Sequence, residues 1–282
     1  MLEKTAAHEE HILSVVQGTK PRPSLETSIA RSWLRCVEHY GLDPVHSHQT
    51  QVLEPIYLRE HQERLDDFLE IARVETNSLY QRIAGSGFAV ILTDGDGVIV
   101  NWTADASLSK SFEQSGLWLG AVWDEENEGT NGIGTALIER QALTVHCDEH
   151  FRSRHAKLTC SAAPIFDPQG QLLAVLDISS VSSQDSKQSQ LHTLALAALS
   201  ARMIEHCCFL KVFRERWVLR FHHRTEFMGQ GSEGLLAFDD GGRILAANQS
   251  ASEQLRRSRD QIVGQPINAL FATGLDALLG HN

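Results

Sequence analysis

Apolar runs separated by tight turns are the feature that most constrains how this chain can fold. Such runs flank Thr93-Asp94-Gly95-Asp96-Gly97 and, further on, Asp167-Pro168-Gln169-Gly170. Asp and Gly in these positions are typical of turns that join antiparallel strands. The two turns predict paired strands at residues 88–92 and 98–102 and at 158–166 and 172–179, and a further apolar run predicts a strand at 143–147. A helix is predicted between the two hairpins, at 131–140, and this order of elements predicts an α+β domain with one antiparallel sheet covered by helices.

Helical periodicity dominates the chain on either side of this sheet. Residues 28–40 place apolar side chains near one face, and a second helix begins near Glu54 and keeps an apolar stripe to Leu79. A long helix is predicted from about Asp185, with a heptad-like seam at Leu196, Leu199, Met203, Leu210, Phe213 and Trp217. The seam fits a coiled-coil connector and, equally, an amphipathic helix packed on its own domain. The basic residues from Arg214 to Arg224 are expected on a solvated face of this helix.

A second, shorter sheet is predicted beyond Gly229. Predicted strands at 235–238 and 243–248 flank Asp239-Asp240-Gly241-Gly242, and a helical run follows at 250–257. The unit ends after about fifty residues, which is short for an independent domain, so we expect the natural chain to continue. The sequence thus divides into an N-terminal helical region at 1–82, an α+β domain at 83–184, a connecting helix at 185–228 and a partial domain at 229–282.

Composition restricts the classes of protein to which the chain can belong. Its formal net charge of -11 would repel a phosphate backbone, and no window has a helix-turn-helix with a basic face, so direct DNA binding is not expected. The N-terminus lacks the apolar centre of a signal peptide and no later stretch is predicted to span a bilayer, so we expect a cytoplasmic location without membrane contact. The five cysteines lack C-x-x-C spacing, which argues against a disulfide framework and a structural zinc site.

Three blocks of the sequence, in the same order, resemble acetoin-catabolism regulators, a family of sigma-54-dependent transcriptional activators. Residues 28–36 read Ser-Ile-Ala-Arg-Ser-Trp-Leu-Arg-Cys, and residues 129–135 read Gly-Thr-Asn-Gly-Ile-Gly-Thr. The similar stretches together are residues 28–36, 40–44, 123–137, 149–151, 158–168 and 176–179. This resemblance implies that the first sheet belongs to a GAF domain. From about Gly231 the chain resembles the first half of a PAS domain.

The resemblance also implies that the output domains lie outside this chain. Similar regulators continue into an ATPase domain and a DNA-binding helix-turn-helix, but the sequence has no GxxxxGK[ST] phosphate loop and no GAFTGA-like loop for contacting the sigma factor. We therefore expect a sensory region that is not an enzyme, needs no cofactor and works as a homodimer. It would reach DNA and sigma-54 RNA polymerase only through domains absent from this chain.

A small neutral ligand such as acetoin or 2,3-butanediol needs a pocket with a few hydrogen-bonding groups set in apolar and aromatic walls. Six residues are candidates for lining it, namely Trp118, Trp123, Asn131, Thr135, Ser161 and Asp177. Asn131 can both donate and accept, as an α-hydroxyketone requires, and Asp177 can accept from a ligand hydroxyl. Structural alternatives stay open, since Asn131 can cap a helix, Asp177 can bind backbone or a histidine, and the tryptophans can belong to the core.

Three other interpretations remain open. A metal sensor would use the densest cluster of metal-capable side chains, which is His146, Cys147, Asp148, His150 and His155. This cluster lacks an established zinc spacing, and we predict no metal site. A cysteine-based redox GAF protein would use Cys160 with Cys147 and one histidine. Alternatively, the amphipathic helices at 59–79 and 196–217 would make the region a dimerisation or partner-docking module without a ligand.

Overall fold

A computed structural model describes residues 2–17, 27–45, 49–181, 186–273, 277–278 and 280. The chain divides into two compact units, Met1–Ile165 with Leu172–Ala201 and Phe166–Gln171 with Arg202–Asn282. The first unit contains the sheet that the two hairpins predict, and the second contains the shorter sheet.

The first unit is built on a five-stranded sheet with the order β2-β1-β5-β4-β3. Its strands are β1 (Phe88–Asp94), β2 (Ile99–Thr103), β3 (Leu143–His146), β4 (Thr159–Phe166) and β5 (Leu172–Ser180). β1 pairs antiparallel with β2 and β5, and β3 pairs antiparallel with β4. Turn chemistry acts as predicted, because Asp94 Oδ1 accepts the backbone N–H groups of Asp96 and Val98 at 3.0 and 2.9 Å. All five predicted strands are present, and the α+β class is confirmed.

Helices cover the sheet of the first unit. The helices of this unit are α1 (Leu2–Val16), α2 (Thr27–Leu34), α3 (Pro55–Arg64), α4 (Asp66–Ile83), α5 (Ser109–Gln114), α6 (Glu125–Glu128) and α7 (Gly132–Glu139). A further helix, α8 (Gln190–Val212), belongs to the first unit up to Ala201 and to the second unit from Arg202. α7 packs against β3 and β5, α2 packs against α7, and α4 packs against β1 and β2. Since alternate strand residues point to opposite faces, Val175 and Asp177 share a face of β5. Val175 lies in one buried cluster with Ala136 of α7 and Trp33 of α2, so this is the α7 face.

The connecting helix predicted at 185–228 is shorter in the structure. α8 ends at Val212, and Trp217 begins strand β6 (Trp217–Phe221), so the prediction of one helix through Trp217 and Arg224 is wrong beyond Val212. The four-residue spacing from Phe213 to Trp217 suits a helix and conceals the period-two pattern of Trp-Val-Leu-Arg-Phe. Short apolar runs are ambiguous between helix and strand, and here pairing with a neighbouring strand decides the outcome.

The buried face of α8 also differs from the predicted seam. Ala197, Ala201 and Ile204 are buried, whereas the seam residue Leu199 is 66% exposed. Within Lys187–Val212, an 18-residue window has a mean hydropathy of 1.3, so this stretch is long and apolar enough to cross a membrane by length and composition, contrary to the sequence expectation. The same composition is typical of a core helix of a water-soluble domain, and the buried alanines place part of α8 in such a role.

The second unit has a three-stranded antiparallel sheet in the order β6-β7-β8. Its further elements are β7 (Gly234–Phe238), β8 (Ile244–Ala247), α9 (Gln249–Leu255) and α10 (Arg259–Ile262). Phe209 and Phe213 pack with Leu235 in one buried cluster, and Ile262 packs with Leu236 in another. The predicted hairpin and helix are present, but the sheet begins at β6, before Gly229. The assignment of 229–282 to a partial PAS domain stays a prediction.

Candidate functional site

The glycine-rich segment between α6 and α7 is organised by Asn131. This residue is the N-cap of α7, and its Oδ1 accepts the backbone N–H of Gly134 at 2.8 Å. Its Nδ2 donates to the carbonyl oxygen of Gly129 at 2.8 Å, and its backbone N–H donates to Thr135 Oγ1 at 3.3 Å. The helix-capping alternative for Asn131 is therefore realised, and the second hydrogen of its amide has no acceptor among the described residues.

Asp177 of β5 is a buried carboxyl group with one unmatched oxygen. The residue is 0% exposed, and its Oδ2 accepts from Ser179 Oγ at 2.5 Å. Its Oδ1 has no hydrogen-bond partner among the residues that the structure describes. Burial raises the pKa of Asp177 to about 7. A Cβ at Gly132 would lie 3.2 Å from this Oδ1 and 2.5 Å from the Cβ of Cys160, so a glycine is needed for α7 to begin this close to the carboxyl.

Cys160 of β4 and His150 form a neutral pair. His150 Nδ1 lies 3.0 Å from the carbonyl oxygen of Cys147, which can only accept, so Nδ1 carries the proton. Nε2 lies 3.4 Å from Cys160 Sγ and is then the acceptor, with the thiol as donor. Burial lowers the pKa of His150 to about 3, and burial with the charge of Asp177 raises the pKa of Cys160. A reactive cysteine needs a thiolate, so this geometry does not favour the redox interpretation.

A buried polar cluster that the sequence did not predict surrounds Glu125 of α6. Arg35 Nε donates to Glu125 Oε2 at 2.7 Å, Thr135 Oγ1 donates to Oε1 at 3.0 Å, and Ser32 Oγ donates to Oε1. Glu125 and Ser32 are buried. The resemblance of residues 28–36 to the regulators singled out this segment of α2. Nothing in the sequence indicated that it contacts a carboxylate 90 residues further along the chain.

Glu128, at the end of α6, forms a second buried ion pair. Its Oε2 lies 2.8 Å from His155 Nε2 and 2.5 Å from Arg154 Nη2. Burial acts to raise the pKa of Glu128, but the hydrogen bonds and charges of His155 and Arg154 outweigh it and lower the pKa to about 2. The ring of His155 lies 4.7 Å from that of Trp123, whose Nε1 donates to the carbonyl oxygen of Gly116 at 2.8 Å. Trp123 is therefore a core residue whose single polar side-chain atom is already hydrogen-bonded.

The two remaining candidates have different surroundings. Trp118 lies in the partly buried loop ahead of α6 and packs on Trp102, with ring centroids 4.5 Å apart. Ser161 follows Cys160 directly on β4 and so points to the opposite face of the sheet. There its Oγ lies 3.0 Å from Thr144 Oγ1. The structure thus separates Ser161 from the candidates on the α7 face.

The histidines of the metal-capable cluster have separate partners. His146 Nδ1 lies 2.9 Å from Thr159 Oγ1, and the rings at positions 150 and 155 engage the thiol and the carboxylate described above. Within the described part of the chain, three metal-capable groups lie within 4.8 Å of one another at His61, Asp94 and Asp96. Asp94 is already occupied there by the backbone of the β1–β2 turn and by His61 Nδ1 at 2.5 Å.

Comparison with known proteins agrees with this architecture. The GAF domain family matches residues 67–207. The chain is 41% identical to the acetoin catabolism regulatory protein of Cupriavidus necator, over 96% of this chain and 43% of that protein. It is 30% identical to the acetoin dehydrogenase operon transcriptional activator of Bacillus subtilis, over 58% of this chain and 27% of that protein. Among solved structures, the E. coli DhaR(N)–DhaL complex is similar, with a TM-score of 0.60 and 19% identity over 86% of this chain and 81% of that chain.

The share of each protein that is matched, and the sequence identity, determine what these comparisons establish. The chain spans less than half the length of the two curated relatives, both of which are regulators by name. The likeness to DhaR(N), at 19% identity, shows the fold alone. The family match includes all five strands of the first sheet together with α7 and most of α4 and α8. The chain therefore belongs to the GAF domain family and is a GAF-containing regulatory region of the acetoin-type transcriptional activators.

Proposed function

We propose that the GAF unit binds a small uncharged hydroxyketone or diol, such as acetoin or 2,3-butanediol, beside Asp177 and the segment 129–135 that leads into α7. The observation that carries this proposal is Asp177 Oδ1, a buried acceptor without a hydrogen-bond partner among the described residues. An orphaned buried carboxyl oxygen is costly, and a ligand hydroxyl would satisfy it. The remaining amide hydrogen of Asn131 would serve a ligand oxygen in the same region.

The electrostatics around Asp177 favour a neutral ligand over an anion. Nearby, His150 is neutral and Cys160 is a thiol, so neither offers positive charge. Arg35 is engaged by the carboxylates of Glu125 and Glu139, the latter at 2.7 Å. A ligand with a hydroxyl group and no net charge therefore matches the groups present, whereas a carboxylate ligand would be buried there without a positive partner.

In the proposed setting, ligand binding controls the transcription of catabolic genes by a sigma-54-dependent activator in the cytoplasm. The names of the relatives from Cupriavidus necator and Bacillus subtilis support a role in acetoin catabolism. The region itself performs no catalysis, and DNA and RNA polymerase are contacted through domains beyond these 282 residues. The region works as a homodimer, in which a second copy covers the exposed apolar side chains Leu191 and Leu199 of α8.

Thermal unfolding of the 282-residue chain with acetoin, 2,3-butanediol and unrelated metabolites tests the proposal. A ligand that binds only the folded state adds about 2.7 kcal/mol at one hundred times its dissociation constant, which raises the Tm by several degrees. Asp177→Asn should lose most of this shift. Ser161→Ala is the matched control, because Ser161 is equally buried but faces the other side of the sheet. Equal shifts in both variants, or none in the wild type, would count against the site.

A docking module without a ligand is the second candidate function. A half-open cleft of about 290 Å³ lies between β3 and the start of α8, lined by Thr144, Lys187, Gln188, Leu191 and Leu194. Exposed Leu191 adds apolar surface beside Lys187, as at many protein interfaces. Substituting Leu191 with Glu should abolish self-association or partner binding under this reading and leave any acetoin-induced Tm shift unchanged.

A further inference from the structure

Helix α2 is tied to the candidate site by a chain of buried hydroxyl and thiol groups. Ser32 Oγ contacts Glu125 Oε1, lies 2.6 Å from Thr130 Oγ1 and lies 3.3 Å from Thr135 Oγ1. Cys36, two residues beyond the end of α2, places its Sγ 3.6 Å from Thr130 Oγ1. Ser32, Thr130 and Thr135 are each 0% exposed, so solvent cannot replace these partners.

Counting the available protons shows which group is the donor in each of these hydrogen bonds. A carboxylate only accepts, so the single hydroxyl protons of Ser32 and Thr135 both go to Glu125. Thr130 must then donate to Ser32 Oγ, and the Cys36 thiol must donate to Thr130. Burial and the charge of Glu125 raise the pKa of Cys36 to about 12, which keeps the thiol protonated as this role requires. Ser32 is the central member, since it both accepts from Thr130 and donates to Glu125.

This series of hydrogen bonds leads to the residues that shape the candidate ligand site. Thr135 Oγ1 accepts the backbone N–H of Asn131 at 3.3 Å, and Asn131 caps α7 immediately before Gly132. Gly132 in turn lies against Asp177. Arg35 completes the attachment, because its guanidinium donates to both oxygens of Glu125, at 2.7 and 3.1 Å. One continuous set of hydrogen bonds thus joins α2 to the segment that closes over the carboxyl.

We propose that Ser32 and Arg35 are positioning residues for the ligand site, which through Glu125 hold residues 129–135 against Asp177 and couple the docking of α2 to ligand binding. The coupling rests on the proposed function, with acetoin as the probe ligand. Linkage makes it reciprocal, since a docked α2 that favours ligand binding must itself be stabilised by the ligand to the same extent. The N-terminal helices are then part of the sensor rather than a separate module beside it.

Ser32→Ala in the 282-residue chain is the test, with Arg31→Met as the matched control. Arg31 lies on the same helix and pairs with Glu139, at the opposite end of α7 from Asn131. Acetoin affinity is measured by calorimetry, and amide exchange is followed at 28–34 and 129–135. We expect Ser32→Ala to weaken acetoin binding about tenfold or more, since a buried hydrogen bond to a charged group is lost. We also expect exchange at 129–135 to accelerate, whereas Arg31→Met changes both by less than about twofold.

Ligand-dependent exchange separates a positioning role from a merely structural one. Saturating acetoin should slow exchange at 28–34 in the wild type and in Arg31→Met but not in Ser32→Ala. Arg35→Lys, which keeps the charge but loses the paired contact with Glu125, replaces Ser32→Ala if that variant does not fold. Unchanged affinity and unchanged exchange in Ser32→Ala overturn the proposal. If the wild type does not bind acetoin, the proposed function fails, and exchange at 129–135 without ligand still decides whether Ser32 positions the segment.

Discussion

Replacing Asp177 by asparagine should change how the stability of the GAF unit depends on pH. The folded chain keeps Asp177 protonated up to a pKa of about 7, against an ordinary value of 3.8. At 1.36 kcal/mol for each pH unit of difference, ionising this group in the folded state costs about 4 kcal/mol. Between about pH 4 and pH 7 the folded state binds a proton that the unfolded chain has released, so the free energy of unfolding falls as the pH rises through this window.

Asparagine has nearly the same shape and stays neutral, so the variant lacks this penalty. Its NH2 group would face the position of Oδ1 without a partner, which costs about 1–3 kcal/mol. We therefore expect Asp177→Asn to be less stable than the wild type near pH 4 and more stable by about 1–3 kcal/mol at pH 8. A buried carboxyl that costs stability is consistent with a role in binding.

Urea unfolding at several pH values between 4.5 and 8 measures this difference. Tryptophan fluorescence suits the assay, because Trp33, Trp102, Trp118 and Trp123 all lie in the first unit. Other buried groups with shifted pKa values, such as His150, contribute equally to both proteins, so the difference between the two profiles isolates Asp177. A difference that stays constant within about 0.5 kcal/mol over this range, which is far below the expected change, would refute the reasoning.

Three further outcomes follow from the geometry. Gly132→Ala should cost about 1–3 kcal/mol of stability in urea unfolding, because its Cβ would lie 2.5 Å from that of Cys160. Gly95→Ala is the control and should be nearly neutral in packing, because its Cβ would lie 3.7 Å from the nearest neighbouring atom. A thiol probe at pH 7 should modify the partly exposed Cys147 before the buried Cys160, and early modification of Cys160 would restore the redox interpretation. Glu128→Gln should lower the free energy of unfolding by about 3 kcal/mol at pH 7. This loss should shrink as the pH falls toward 2, where the wild-type carboxylate also becomes protonated. An equal loss at pH 7 and pH 2.5 would contradict the assigned ion pair.

Local chemistry explains which parts of the fold could be predicted from the sequence. The β1–β2 turn follows from Asp94 and its glycines, since the carboxylate binds backbone N–H groups two and four residues away. The start of α7 follows from Asn131, which caps a helix three residues ahead. Both interactions lie within a few residues, so the order of amino acids is enough to specify them.

Strand alternation and helix length depended on partners elsewhere in the chain. Ser161 was grouped with Asp177 on residue type, but the register of β4 turns it to the other face. Trp217 fitted a helical seam until pairing with Phe238 made it part of a sheet. Neither outcome is set by intrinsic preference, because short apolar runs suit both conformations and tertiary pairing selects one.

By itself the sequence determined the five strands of the first sheet, the capped start of α7 and the family, because these depend on neighbouring residues and on blocks of sequence in order. Only the tertiary structure brings α2 into contact with α6, because Ser32 meets Glu125 across 93 residues. Likewise, only burial by several elements gives Asp177 a raised pKa and leaves its Oδ1 without a hydrogen-bond partner among the described residues. Desolvation and long-range hydrogen bonds arise when distant segments pack together, and no local pattern encodes them.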